Sequence, residues 1–294
     1  MSHLYNSTSV KSGSFVVIII SFNTTMKQFL LLLTLLPALV FESDEPASKL
    51  NGAFRQTKNK YGSMTEWQTS DSITIIKVFR DGHWLAAYYN DKRKGRTSFD
   101  GACGGTYALK DGKYVETVGY YSWDSTAVGK VYSFSYNVSP TQYEQYGKMN
   151  SDKYKDYPIN EVCERITAKE PLKNNALEGV WFMREGSWGG TSRFGEGTYK
   201  DFEVVKIFSY PMVVYAYYNP KTRKFDGAGG AMYQFDGKTL TETNEFWSWQ
   251  TDGSRRGNIE TFRATVKDGQ FVQQGWDGKL REVWAKAPSP ATNK

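Results

Sequence analysis

One stretch of this chain occurs twice. Residues 216–231 read AYYNPKTRKFDGAGGA, and residues 87–105 read AYYNDKRKGRTSFDGACGG. An apolar run precedes each copy, Ile76 to Phe79 (IKVF) and Val205 to Phe208 (VKIF), and an aromatic run follows each, YYSW ending at Trp123 and FWSW ending at Trp249. The offset between partners stays between 126 residues (Trp123 to Trp249) and 129 residues (Ala87 to Ala216). A repeat of that period is a whole domain written twice, because solenoid units are only about 20–50 residues long. The boundaries read as 48–168 and 176–287, with a polar tail at 288–294.

Turn signals divide each copy into short segments. Asp81-Gly82, Asp111-Gly112, Tyr210-Pro211 and Asp236-Gly237 separate apolar or alternating runs. These pairs suit tight turns, since Asp and Gly tolerate positive φ and Pro presets its own. Tyr132, Phe134, Tyr136 and Val138 alternate with polar residues, the period of a half-buried strand. The opening segments are Leu50–Phe54 and Leu177–Trp181. Gly227 and Gly229-Gly230 inside a strand pattern mark a bulge or bend. The polar segment from Gln145 to Pro158 reads as a long loop. The pattern predicts eight antiparallel strands per copy and no helix: an all-β chain of two tandem eight-stranded barrels, with a two-sheet sandwich as the alternative. Aromatic content of 16% supplies bulky residues for two small cores.

The N-terminus reads as a processing signal. From Met26 the chain runs MKQFLLLLTLLPALVF, one Lys and then about a dozen apolar residues, shorter than the roughly 20 of a membrane span. Residues 26–42 are therefore expected to be a signal peptide, and residues 1–25 an over-extended gene start. Secretion or periplasmic export follows, with no membrane span in the mature chain. Two cysteines in an exported chain predict a Cys103–Cys163 disulfide. The net charge of +6 includes a basic cluster at Lys92-Arg93-Lys94 and Arg96, which reads as a solvated loop, so no nucleic-acid partner is expected.

Gly179-Val180-Trp181, with Arg281 and Lys286 on the closing strand, resembles the lipocalin pattern. That family places a G-x-W on its first strand and a basic residue of the last strand over the Trp. The first copy has Gly52 and Phe54, with Arg165 as its basic residue. The resemblance implies lipocalin-like β-barrels of the kind found in exported bacterial proteins.

Catalytic chemistry is sparse in the pattern. His83 is the one histidine after residue 40 and reads as a surface turn residue. Glu116 and Glu242 occupy matching strand positions and read as exposed, one per copy. No cofactor motif is present, and a non-enzymatic protein is expected. The aromatic residues are the more informative feature. Tyr88, Tyr121 and Trp123, and in the second copy Tyr217, Trp247 and Trp249, are candidates to line a cavity for a small apolar molecule. Stacking on a glycan, or solid barrels that bind a protein on their outer face, are the alternatives.

Overall fold

In a computed structural model the described residues are 46–70, 73–90, 99–189, 192–250 and 254–288. The expected signal peptide, the basic cluster at Lys92 and residues 289–294 of the tail lie outside them. Each copy forms a closed barrel of eight antiparallel strands. The first contains β1 (Gly52–Tyr61), β2 (Gln68–Thr69), β3 (Thr74–Arg80), β4 (His83–Tyr89), β5 (Phe99–Lys110), β6 (Lys113–Tyr121), β7 (Val131–Val138), β8 (Gln142–Met149) and β9 (Tyr157–Arg165). The second contains β10 (Gly179–Trp188), β11 (Ser192–Arg193), β12 (Glu203–Ser209), β13 (Met212–Asn219), β14 (Lys224–Phe235), β15 (Thr239–Trp247), β16 (Ile259–Lys267), β17 (Gln270–Gly275) and β18 (Arg281–Lys286). The two-residue β2 and β11 flank β1 and β10, while β1–β9 and β10–β18 pairing closes the walls.

The chain departs from the sequence reading in three places. β1 and β10 run well past the expected opening segments. The expected long loop is half strand: β8 continues to Met149 and β9 begins at Tyr157. His83 stands at the junction of the barrels, its ring 5.9 Å from that of Phe182.

Asp81-Gly82 and Asp111-Gly112 turn tightly with positive φ at both residues. That geometry matches the right-handed twist of the strands it joins. Bulges recur at matching places, including Gly104/Gly105 against β6 and Gly230/Ala231 against β15. A bulge shifts side-chain parity by one. Glu242 and Trp247 are an odd number of residues apart, yet both face the inside of the barrel.

One end of each barrel is plugged. In the second, Trp181, Phe208, Phe271 and Trp284 are buried there, and the Trp181 indole donates to the Leu177 carbonyl at 2.7 Å. In the first, Phe54 and Phe79 take this place, with ring centroids 6.0 Å apart. Gly52 has φ +152° and Gly179 φ +139°, both in the region that disfavours side chains. A Cβ on Gly52 would lie 1.9 Å from the Arg165 guanidinium, so this glycine is the seat of the basic side chain.

The barrels share a third core. Ile76, Val78, Leu85 and Ala87 on the outer wall of the first meet Val205, Ile207, Val214 and Ala216 of the second. Tyr89 stacks on Phe246 at 5.2 Å and Tyr120 on Tyr218 at 4.7 Å. These contacts are reciprocal, since Tyr89 matches Tyr218 and Tyr120 matches Phe246 in the repeat. Reciprocal contacts are the signature of a two-fold interface, here within one chain.

Candidate functional site

β3 and β12 are buried on both faces, and each carries a lysine in mid-run. Lys77 and Lys206 point into the barrels. Lys77 Nζ donates to Gln145 Oε1 at 2.9 Å and pairs with Glu161 at 2.5 Å. Lys206 Nζ donates to Gln273 Oε1 at 2.8 Å and lies 3.4 Å from Glu282. Glu116 and Glu242 face the same interiors, at 6% and 4% exposure, which corrects their reading as exposed. Each barrel thus holds the same buried quartet of one lysine, one glutamine and two glutamates. Buried charges of this kind require partners.

The partners differ between the barrels. In the first, the Tyr114 hydroxyl donates to Glu116 Oε2 and the Tyr143 hydroxyl to Gln145, each at 2.8 Å. The Tyr61 hydroxyl donates to Glu161 at 2.8 Å. In the second, Leu240 replaces Tyr114 and Phe271 replaces Tyr143. Trp188 replaces Tyr61, its indole donating to Glu282 Oε1 at 2.9 Å. Glu242 Oε1 is buried with no hydrogen-bond partner. Burial pushes both Glu116 and Glu242 up to about 7, with Lys77 and Lys206 opposing.

Above the second quartet opens a cavity of about 770 Å³. Lys206, Glu242, Gln273 and Glu282 form its floor, and Trp188, Tyr199, Tyr215, Tyr217, Trp247 and Trp249 its walls. Trp247 and Trp249 have ring centroids 5.0 Å apart, and Tyr217 meets Trp249 edge-on at 5.1 Å. Arg255 lies 4.1 Å over the Trp247 ring. The first barrel has a cavity of about 550 Å³ lined by Tyr88, Tyr121 and Trp123, with Tyr61, Met149 and Glu161. Lys77, Glu116 and Gln145 do not reach it. All six aromatic candidates therefore face cavities, three in each barrel. Tyr215 stands where the first barrel has Ala86, and faces Gly229 where the first has Cys103. That exchange of small for large residues gives the second cavity an additional aromatic wall.

Two sequence assignments need correction. Cys103 and Cys163 are buried free thiols. β5 and β9 are four strands apart around an eight-stranded wall, so the two residues are on opposite sides of the barrel, far beyond disulfide geometry. Burial pushes both thiols up. Arg281 does not cover Trp181; it bonds Glu185 at 2.7 Å at the other end of β18. Antiparallel register sets Lys286 opposite Trp181, and its ammonium lies 5.5 Å from the indole. In the first barrel the Arg165 guanidinium lies 4.4 Å from the Phe54 ring.

No protein-family model and no curated protein matches the chain. Among solved structures, it is similar to an uncharacterized protein, YLR301w, from Saccharomyces cerevisiae, with 9% identity and a TM-score of 0.48 over 81% of this chain and 98% of that one.

Proposed function

We propose that the chain is an exported, non-enzymatic, lipocalin-like carrier that holds a small, largely apolar molecule in its second barrel. The observation that carries this reading is the pair of Trp247 and Trp249 in the cavity wall above a polar floor. A mostly aromatic pocket with a few convergent polar groups is the usual form of a small-molecule site. The indoles face a cavity instead of the outer wall, which favours an enclosed ligand over a glycan stacked on the surface. One observation favours a second reading. Glu242 is buried in the cavity floor, which pushes its carboxyl up to about 7, a range suited to general acid–base work on a bound substrate.

Intact-protein mass spectrometry under native conditions, on material purified from its own organism, tests this. The expected spectrum shows a mature chain starting between residues 37 and 46 and a bound small molecule. A chain that retains residues 1–25 overturns export, and a bare chain that also fails to bind apolar dye overturns the carrier. Chemical conversion of the displaced molecule by added protein would select the enzyme.

A further inference from the structure

The second cavity contains a charge imbalance. Four acidic residues line it, Glu242, Glu260, Asp277 and Glu282, against two basic ones, Lys206 and Arg255, and Asp277 pairs with Lys279 outside the lining at 4.0 Å. Both bases are occupied. Lys206 bonds Gln273 and Glu282, and Arg255 pairs with Glu260 while stacking on Trp247. Glu242 alone on the floor has a buried oxygen with no partner. The matching Glu116 shows what satisfaction looks like, through the Tyr114 hydroxyl, and Leu240 removes that option from the second barrel.

We propose that the second cavity takes a protonated amine, a small molecule whose ammonium reaches Glu242 and whose flat apolar body lies among the tryptophans. This rests on the carrier reading and specifies its ligand. An ammonium supplies both the missing hydrogen bond and the missing positive charge. The ring faces of Tyr215, Tyr217, Trp247 and Trp249 attract cations as well as apolar surface. Their mutual contacts, such as Tyr215 to Trp249 at 6.5 Å, hold those faces in place before any ligand arrives. An anionic head would meet Glu242 and Glu282 without a free cation to pair with. A neutral hydroxyl donates the missing hydrogen bond, as Tyr114 does to Glu116, but brings no positive charge to the carboxylates.

The groups facing Glu242 are Lys206 from β12, Tyr215 from β13, Glu260 from β16, Gln273 from β17, Glu282 from β18 and Arg255 from the loop before β16. Burial holds the empty carboxyl near 7, and a bound ammonium favours its ionised form. Amine binding therefore strengthens as pH rises through about 7.

Calorimetric titration with three ligands of one shape, 2-phenylethylamine, 2-phenylethanol and phenylacetate, tests the proposal on the full mature chain. The amine is expected to bind about tenfold or more tighter than the alcohol, and phenylacetate weakest. Its affinity should rise about tenfold or more between about pH 5.5 and about pH 8. Glu242→Gln should bring amine and alcohol within about twofold of each other, while Glu116→Gln leaves the preference intact. Equal binding of amine and alcohol, unchanged by Glu242→Gln, overturns the amine and leaves the carrier standing. An alcohol that binds best at low pH also overturns it, by making Glu242 a hydrogen-bond donor. Failure of all three to bind the wild type overturns amine and carrier together.

Discussion

Lys77 and Lys206 occupy the same step of two apolar strands, and each is the one charge in its run. The sequence displays this as IKVF and VKIF, and an apolar label for those runs hides it. A lysine repeated at one buried step forces an acid to meet it inside the barrel. The same logic turns Glu116 and Glu242 inward, against their reading as exposed. Tyr114 and Val118 lie two residues either side of Glu116, and Leu240 two before Glu242, so both glutamates share an inward face. Which carboxyl has a partner was not legible, because it depends on whether the side chain two residues before it can reach the carboxyl inside the barrel, as the Tyr114 hydroxyl does and Leu240 does not. The pH dependence of stability follows from these two residues. An unfolded glutamate loses its proton near 4.5, whereas Glu116 and Glu242 keep theirs to about 7 in the fold. The unfolded chain therefore binds fewer protons across that interval, and stability falls as pH rises through it. Each site contributes up to about 3 kcal/mol at low pH that is lost above about pH 7. Denaturant unfolding should show the chain more stable at about pH 5 than at about pH 8. The double variant Glu116→Gln/Glu242→Gln should flatten that slope, and a slope unchanged by it would contradict the assignment.

At the scale of elements, the repeated FDGA and S-W segments explain each other. A Cβ on Gly101 would lie 2.3 Å from the Trp123 ring, and one on Gly227 2.5 Å from the Trp249 ring. Ser122 and Ser248 fix the approach, each accepting a backbone N–H from the facing strand, at 3.0 and 2.9 Å. The tryptophan rings thus approach bare backbone at Gly101 and Gly227, in the lining of the cavities. Period-two alternation placed Tyr121 with Trp123, and Trp247 with Trp249, on common faces. It could not join them to Glu116 and Glu242, because the intervening bulge shifts the parity by one. Gly227→Ala should therefore push Trp249 off its seat. The expected cost is about 1–3 kcal/mol, the usual range for overpacking, with a change in tryptophan emission. Unaltered emission and melting would show that the ring has room the geometry denies it. Gly195, with nothing near its missing Cβ, is unsuitable as a size control because its φ of +84° strains any side chain.

For the whole molecule, the strand count and tandem plan were legible, whereas the joint between barrels was not. Ile76, Val78, Val205 and Ile207 read as ordinary core, and only the fold shows that they leave the barrels to form a third core. A strand buried on both faces is a continuous apolar run whatever lies behind it. The disulfide expectation failed for a related reason: cysteine count carries no information about how far apart around the barrel wall two residues stand. The two-fold joint makes the barrels equivalent in position, and their interiors make them unequal in chemistry. The glutamates of the first are satisfied by its own tyrosine hydroxyls, while the second leaves Glu242 open to a larger cavity. The central claim is that one barrel of the two receives the ligand. Dye-displacement titration, paired with melting curves on the wild type, Trp123→Ala and Trp249→Ala, tests it most directly. The account predicts one displaceable dye per chain, bound normally by Trp123→Ala and at least about tenfold more weakly by Trp249→Ala at temperatures where both remain folded. Two equal sites, or a single site lost with Trp123 and kept without Trp249, would contradict it.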